Sequence, residues 1–191
     1  MPLADQLTLA RIACAPIVVI LFTVDFVNHD YWGTVVFCIA MSTDWFDGRI
    51  ARRRGHTSPL GTLLDPVADK LLVAAALIAL VQIEMIDAWV AVVIIGRELA
   101  VTGLRGVALS MGALVPASGF GKAKTVSQYI AITILILDKG APGEFLPFHL
   151  VSTFVLWVAL ALTVLSGADY FYRFFLSTGV KALVKDRERW P

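Results

Sequence analysis

Six stretches of the chain run nearly uninterrupted by charge: Leu7–Phe26, Tyr31–Ile50, Leu60–Ile83, Ala88–Leu109, Ala117–Leu137 and Leu146–Phe175. Each is close to the ~20 residues that carry a helix across the hydrocarbon core of a bilayer. A membrane barrel would need apolar and polar residues in strict alternation. Runs such as VAAALIALV, residues 73–81, have none, so the pattern predicts helices, which satisfy their own backbone hydrogen bonds. The expected fold is all-α: a polytopic membrane protein of six transmembrane helices. The fifth run is the least apolar at its start, with Lys122 and Lys124 in its first turns.

Composition sharpens this picture. Of the 191 residues 58% are hydrophobic and 16% charged, and the mean hydropathy is +0.78. A soluble domain is nearer half apolar and a quarter charged. These values exclude a soluble enzyme, a disordered chain and a nucleic-acid-binding module. Cys14 and Cys38 each lie within an apolar run, without zinc-ligand spacing, and read as small buried hydrophobes. The opening MPLADQLTLARI has no basic region ahead of its apolar stretch, so the first run is expected to remain as a helix.

The charges orient the bundle. The connections near 25–31, 82–88 and 138–147 carry Asp25, Asp30, Glu84, Asp87, Asp138 and Glu144, with Lys139 as their only Lys or Arg. The other connections and the tail carry Arg49, Arg52, Arg53, Arg54, Lys122, Lys124, Lys181, Lys185, Arg187 and Arg189. Short loops rich in Lys and Arg stay cytoplasmic. Both termini are then expected in the cytoplasm, in keeping with an even number of spans. Trp32 and Trp89 fall at the opposite ends of their helices, where an outer aromatic belt belongs. The expected division is a membrane domain over 1–176 and a basic cytoplasmic tail over 177–191, the tail either attracting anionic lipid or simply solvated.

Some charges lie where a bilayer disfavours them. Asp44 and Asp47, at i and i+3, and Asp65 and Asp69, at i and i+4, each share a helix face near the cytoplasmic ends of the second and third spans. Arg97, Glu98 and Arg105 fall within the fourth. Ionisable residues within a span cost at least ~2.5–3.5 kcal/mol at the helix centre and are functional candidates. If the second and third helices are antiparallel neighbours, the four carboxylates converge and something must neutralise them. Protonation, nearby arginines and divalent cations are the options. An all-oxygen site favours hard ions such as Mg²⁺ or Mn²⁺. A structural ion-pair network between packed helices is the alternative.

The surrounding pattern is more specific. Residues 44–69 read DWFDGRIARRRGHTSPLGTLLDPVAD, which fits D-x2-D-G-x2-A-R-x8-G-x3-D-x3-D at Asp44, Asp47, Gly48, Ala51, Arg52, Gly61, Asp65 and Asp69. This stretch resembles the signature of the CDP-alcohol phosphotransferases, integral membrane enzymes that move a substituted phosphate from a CDP-linked donor to an alcohol and release CMP. Physical reasons stand beside the resemblance. A pyrophosphate donor brings negative charge to a negative site, and two ions held by the four Asp would bridge them. Gly48 and Gly61 leave room for a nucleotide, or for close helix packing. Arg52, one turn beyond Gly48, is placed to pair with a phosphate oxygen. The resemblance implies that Asp69 is the general base for the acceptor hydroxyl and that Ser58 touches the donor. The carboxylate spacing by itself does not single out one of the four as base.

Further segments, LDPVADKLLVAAALIALVQ, IGRELAVTGLRG, GKAKT and SGADYFYR, resemble the bacterial branch of that family using CDP-diacylglycerol as donor and sn-glycerol 3-phosphate as acceptor. That resemblance covers nearly the whole chain and implies a bacterial inner-membrane enzyme, homodimeric, among membrane lipids, with its site facing the cytoplasm. A phosphate-bearing acceptor needs cations. Arg105, Lys122 and Lys124, near the cytoplasmic ends of the fourth and fifth spans, are the candidates, with snorkelling to the interface as their bland alternative. Arg173, near the end of the sixth span, is a further candidate. Arg97, two turns deeper than Arg105 and beside Glu98, reads as structural. SGFGKAK is not a P-loop: Pro116 replaces the first Gly, and no Ser or Thr follows GK.

The chain departs from the family pattern at Ala4 and Asp5, where Pro and Asn are usual, while Thr8 and Arg11 remain, Thr8 as a candidate donor contact. The loop Arg54–Pro59 differs but keeps its spacing. Other acceptors, such as inositol phosphate, serine or a second phospholipid like phosphatidylglycerol, define sister reactions. A small divalent-cation transporter would also place four Asp in a bundle, but leaves Gly48, Arg52 and Gly61 unexplained. No Ser, Cys or His sits beside the cluster as a nucleophile, so direct in-line displacement is expected.

Overall fold

The computed structural model describes residues 3–24, 27–54, 59–111, 119–140 and 146–187, with side chains at 3–5, 7, 30, 43–54, 59–63, 65, 119–120, 122, 140, 146–147 and 177–187 outside the description. The described backbone forms six helices and no strand: α1 Leu3–Thr23, α2 His29–Arg54, α3 Pro59–Gln82, α4 Ala88–Ser110, α5 Gly119–Gly140 and α6 Leu146–Arg187. Each coincides with one apolar run, shifted by a few residues at its ends. The largest difference is α6, which continues through residues 177–187. The expected tail is therefore mostly a direct extension of the last helix. Ala182, Leu183 and Lys185 are good helix formers, and no Gly or Pro follows Gly179 before the helix ends. At ~1.5 Å per residue, 42 residues reach about 63 Å, roughly twice a ~30 Å hydrocarbon core.

Local chemistry sets several boundaries. Pro59 is the first residue of α3, where its missing N–H has no helical partner to lose. At the other end, the amide of Met85 donates to the carbonyl of Leu80 at 3.0 Å and that of Glu84 to Val81 at 3.1 Å. This is a Schellman cap, with Glu84 in the left-handed position at φ 61° that glycine usually fills.

The helices pack as a closed ring: α1 on α2, α2 on α5, α5 on α6, α6 on α4, α4 on α3 and α3 back on α1. The buried core includes Val18, Phe22, Phe37, Leu72, Leu77, Leu80, Ile94, Ile132 and Ile136. Fully buried Ala68, Ala76 and Ala79 give α3 a smooth face for close packing. Gly33 does the same on α2: a Cβ there would overlap the ring of Phe22 on α1.

The ring exposes many apolar side chains and buries a set of polar ones beside its apolar core. Large hydrophobics are exposed on every helix, among them Ile20, Ile39, Ile78, Val92, Ile130 and Phe154, while Thr8, Arg11, Lys124, Gln128, Thr163 and Ser166 are buried. Among the described residues one helix, Phe148–Leu176, is long and apolar enough to cross a membrane by length and composition, with mean hydropathy 2.2; Thr8–Thr23 and Tyr31–Ser42 are shorter apolar helices. The charges explain the contrast, since α3, α4 and α5 carry the ionisable residues that face inward.

Candidate active site

Within the ring lies a cavity of about 800 Å³ lined by α2 to α6. Its walls differ in character. Phe37, Cys38 and Met41 of α2 and Tyr129, Ile130 and Ile134 of α5 form a largely apolar side, while Asp69, Arg97, Glu98, Arg105, Lys124 and Ser166 form the polar one.

Asp69 enters from α3. Its carboxylate accepts a hydrogen bond from Arg11 Nη1 of α1, an ion pair that joins helices 58 residues apart in sequence. Arg11 is 1% exposed and Thr8, one turn earlier on the same helix, 4%. Both therefore sit on the inward stripe of α1. Lys70 lines the cavity beside Asp69 but folds back, donating to the carbonyl of Pro66 at 2.9 Å.

The rest of the polar wall is a connected network. Glu98 of α4 accepts from Lys124 Nζ of α5 and from Arg97 Nη1 at 3.2 Å. Arg97 Nη2 donates to Ser166 Oγ of α6 at 3.0 Å. Ser166 in turn donates to the carbonyl of Thr163 at 3.1 Å, and Thr163 Oγ1 accepts from Gln128 Nε2 at 2.9 Å. Gly167 makes the α4–α6 approach possible, because a Cβ there would lie 3.0 Å from Arg97 Cγ. Arg105, two turns along α4 from Arg97, holds its guanidinium 5.8 Å from the ring centroid of Tyr170. Among the described residues this network and its neighbour Arg105 set Arg97, Arg105 and Lys124 beside the Glu98 carboxylate, an excess suited to an anion.

The sequence candidates distribute as follows. Asp69, Arg105 and Lys124 line the one cavity. Thr8 is buried on α1. Arg173 is not among the lining residues; its Nε donates to Asp169 at 2.9 Å, one turn back on α6, and its side chain is 48% exposed. The side chains of Asp44, Asp47, Arg52, Asp65 and Lys122, and the surroundings of Gly48 and Gly61, lie outside the described residues, as does Ser58 altogether. Their backbone positions, Ser58 excepted, are helical, and Asp65 precedes Asp69 by one turn of α3. The sequence marks Glu98 only as an ionisable residue within a span and Arg97 as structural, and it gives Ser166 and Tyr170 no role. A signal existed: Thr163, Ser166 and Tyr170 fall at i, i+3 and i+7, a polar stripe along an otherwise apolar helix.

Acidic and basic side chains thus line one cavity in a helical ring with many exposed large hydrophobics, a setting suited to a charged ligand at an apolar boundary. The sequence model of CDP-alcohol phosphatidyltransferase matches residues 1–165, and the chain belongs to that family. Its relatives include the CDP-diacylglycerol–glycerol-3-phosphate 3-phosphatidyltransferase of Bacillus subtilis (strain 168), 45% identical over 186 aligned positions that cover 88% of this chain and 93% of the relative. A protein of the same name from Rickettsia bellii is 38% identical, covering 88% and 93%. A probable phosphatidylglycerophosphate synthase of Mycobacterium tuberculosis is 37% identical, covering 90% and 80%.

Proposed function

We propose that this protein transfers the phosphatidyl group of CDP-diacylglycerol to sn-glycerol 3-phosphate, giving phosphatidylglycerophosphate and CMP. The observation that carries the reading is the cavity itself, which Asp69, Arg97, Arg105 and Lys124 line together. The names of the relatives supply the two substrates. The apolar wall on α2 and α5 suits a lipid-linked donor, and the cationic wall suits an acceptor that carries its own phosphate.

In this reading Asp69 accepts the proton of the acceptor's primary hydroxyl. The oxygen attacks the phosphorus nearer the diacylglycerol, the bond to the bridging oxygen breaks, and CMP leaves with the electron pair. Arg105 and Lys124, with Lys122 beside them in sequence, hold the acceptor phosphate; Arg173 belongs with them only if it leaves Asp169. Thr8, Gly48, Arg52, Ser58 and Gly61 serve the donor. Asp44, Asp47, Asp65 and Asp69 would hold two Mg²⁺ or Mn²⁺ ions; the described member, Asp69, presents a hard oxygen donor to the cavity and already balances a cationic partner, Arg11, so the donor set fits such ions. When bound, they supply charge neutralisation at the pyrophosphate.

The same reading places six spans in a bacterial inner membrane with both termini and the cavity mouth toward the cytoplasm, and two copies as a homodimer. The apolar exterior of the ring and the basic residues of its 49–54 and 181–189 segments support this orientation.

The deciding experiment is CMP release by purified protein in mixed micelles with CDP-diacylglycerol and a panel of acceptors. Release is expected with sn-glycerol 3-phosphate, abolished by a chelator and restored by Mg²⁺ or Mn²⁺. Release with inositol phosphate or serine but not with glycerol 3-phosphate overturns the acceptor assignment.

A further inference from the structure

We infer that Glu98 is a positioning residue: it holds the Lys124 ammonium on the cavity wall, where the acceptor's phosphate is received, and is itself held by Arg97, which α6 fixes in place. The inference deepens the proposed transfer to a phosphate-bearing acceptor and rests on it.

Lysine is a compact charge on a flexible stem, and without a fixed partner its head explores many rotamers. Lys124 is 3% exposed, so that freedom has been removed, and the group removing it is the Glu98 carboxylate. Glu98 is not a free surface acid. The same oxygen, Oε1, receives both Lys124 Nζ and Arg97 Nη1. Arg97 is anchored twice: by Ser166 Oγ at 3.0 Å and by Gly167, whose missing side chain lets the stem lie against α6. The chain of contacts therefore runs from the backbone of α6 through Arg97 and Glu98 to Lys124, and all four side chains that form it line the cavity.

Charge explains why an acid belongs in an anion site. Arg97 and Lys124 without Glu98 would be two like charges, one partly and one fully buried, that repel. Glu98 brings them together while leaving the wall cationic, because Arg105 is not paired with it. A phosphate entering the wall meets a cluster already assembled, so less side-chain freedom is lost on binding.

Two effects oppose each other when Glu98 loses its charge. A nearby negative charge is removed, which favours an anion, and Lys124 is released, which disfavours it. The second effect outweighs the first. Glu98→Gln is expected to raise the KM for sn-glycerol 3-phosphate by about 5- to 10-fold while the KM for CDP-diacylglycerol stays within 2-fold. Glu98→Asp, which keeps the charge on a shorter stem, recovers part of the loss. Adding Glu98→Gln to Lys124→Met raises the acceptor KM no further than Lys124→Met alone. A fall in acceptor KM, equal changes for both substrates, or additive effects in the double variant overturns the inference. Should Glu98→Gln not fold, the KM split in Glu98→Asp decides in the same way. Wild-type protein that releases no CMP with glycerol 3-phosphate sinks the proposed function instead. In that case binding of inorganic phosphate to wild type and Glu98→Gln, followed by calorimetry, still reads the tether: weaker binding in the variant supports it and unchanged or tighter binding overturns it.

Discussion

Arg11 and Asp69, 58 residues apart on α1 and α3, form an ion pair at the edge of the cavity. The arginine is 1% exposed and the aspartate side chain 29%. Burying two charges costs several kcal/mol per ion, and their attraction offsets this only while both are present. The first helix is thereby tied to the carboxylate assigned the proton transfer. Its sequence position gave little hint of that, since α1 lies outside the 44–69 signature.

Removing Arg11 takes one positive charge away from a carboxylate in a poorly solvated place. Arg11→Met is expected to destabilise the folded protein by roughly 2–4 kcal/mol, somewhat below the fully buried case because Asp69 keeps part of its hydration. A lowered thermal midpoint in detergent reads this directly. Arg11→Lys keeps the charge but loses the planar fork, so an intermediate midpoint is expected. A wild-type midpoint for Arg11→Met would show that the pair contributes nothing.

Asp69→Asn preserves shape and removes the charge. Two consequences are separable. CMP release is expected to fall by ~10²–10⁴, the usual contribution of a general base, and stability is expected to fall because the buried Arg11 loses the Asp69 charge. In the double variant Arg11→Met/Asp69→Asn the midpoint should recover while activity does not. Recovery of activity together with stability would mean that Asp69 matters only for folding.

How far the sequence carried this result depends on the kind of information. All six helices were readable as apolar runs, because a backbone in hydrocarbon has few alternatives to helix. The end of α6 was not: the apolar signal stops near Phe175, whereas the helix runs on to Arg187 through residues of ordinary helix propensity. Asp69, Arg105 and Lys124 were legible as charges in apolar surroundings, and the structure sets all three on one cavity. Their partners were harder to see. Ser166 and Tyr170 are ordinary residues for an apolar helix, and only their common inward face gives them meaning. Arg173 shows the reverse problem, since a base near a helix end reads the same whether it turns inward or, as here, pairs along its own helix with Asp169. Periodicity does not resolve which way a helix is rotated when most of its faces are apolar.

Packing of α1 on α2 makes a prediction independent of chemistry. A Cβ at Gly33 would overlap the buried ring of Phe22, so Gly33→Ala must push the two helices apart or twist Phe22 from its rotamer. Overpacking of this kind costs ~1–3 kcal/mol. The thermal midpoint is expected to drop, with the ratio of the two substrate KM values unchanged because Gly33 does not line the cavity. Gly33→Ala combined with Phe22→Leu should regain part of the loss, and no recovery would mean that the clash lies elsewhere.

The two arginines proposed for the acceptor phosphate should behave differently. Arg105 lines the cavity on α4 and lies over the Tyr170 ring, 5.8 Å from its centroid. Arg173 sits outside it and is bound at 2.9 Å to Asp169, an exposed i, i+4 pair of the kind that contributes little to stability. A charge-assisted hydrogen bond to phosphate is worth ~1.5–3 kcal/mol, so Arg105→Gln is expected to raise the KM for sn-glycerol 3-phosphate by about 10- to 100-fold. Arg173→Gln should change it less than 2-fold and leave the thermal midpoint nearly unmoved. Tyr170 supplies a control. Tyr170→Phe keeps the ring beneath Arg105, and the hydroxyl it removes is buried without a hydrogen-bond partner among the described residues, so neither KM nor stability should suffer. Tyr170→Leu removes the aromatic face and should raise the acceptor KM by a few-fold, the scale of a partly exposed cation–π contact of ~0.5–1 kcal/mol. If Arg173→Gln raised the acceptor KM as much as Arg105→Gln, the acceptor site would extend beyond the described cavity to the outer face of α6.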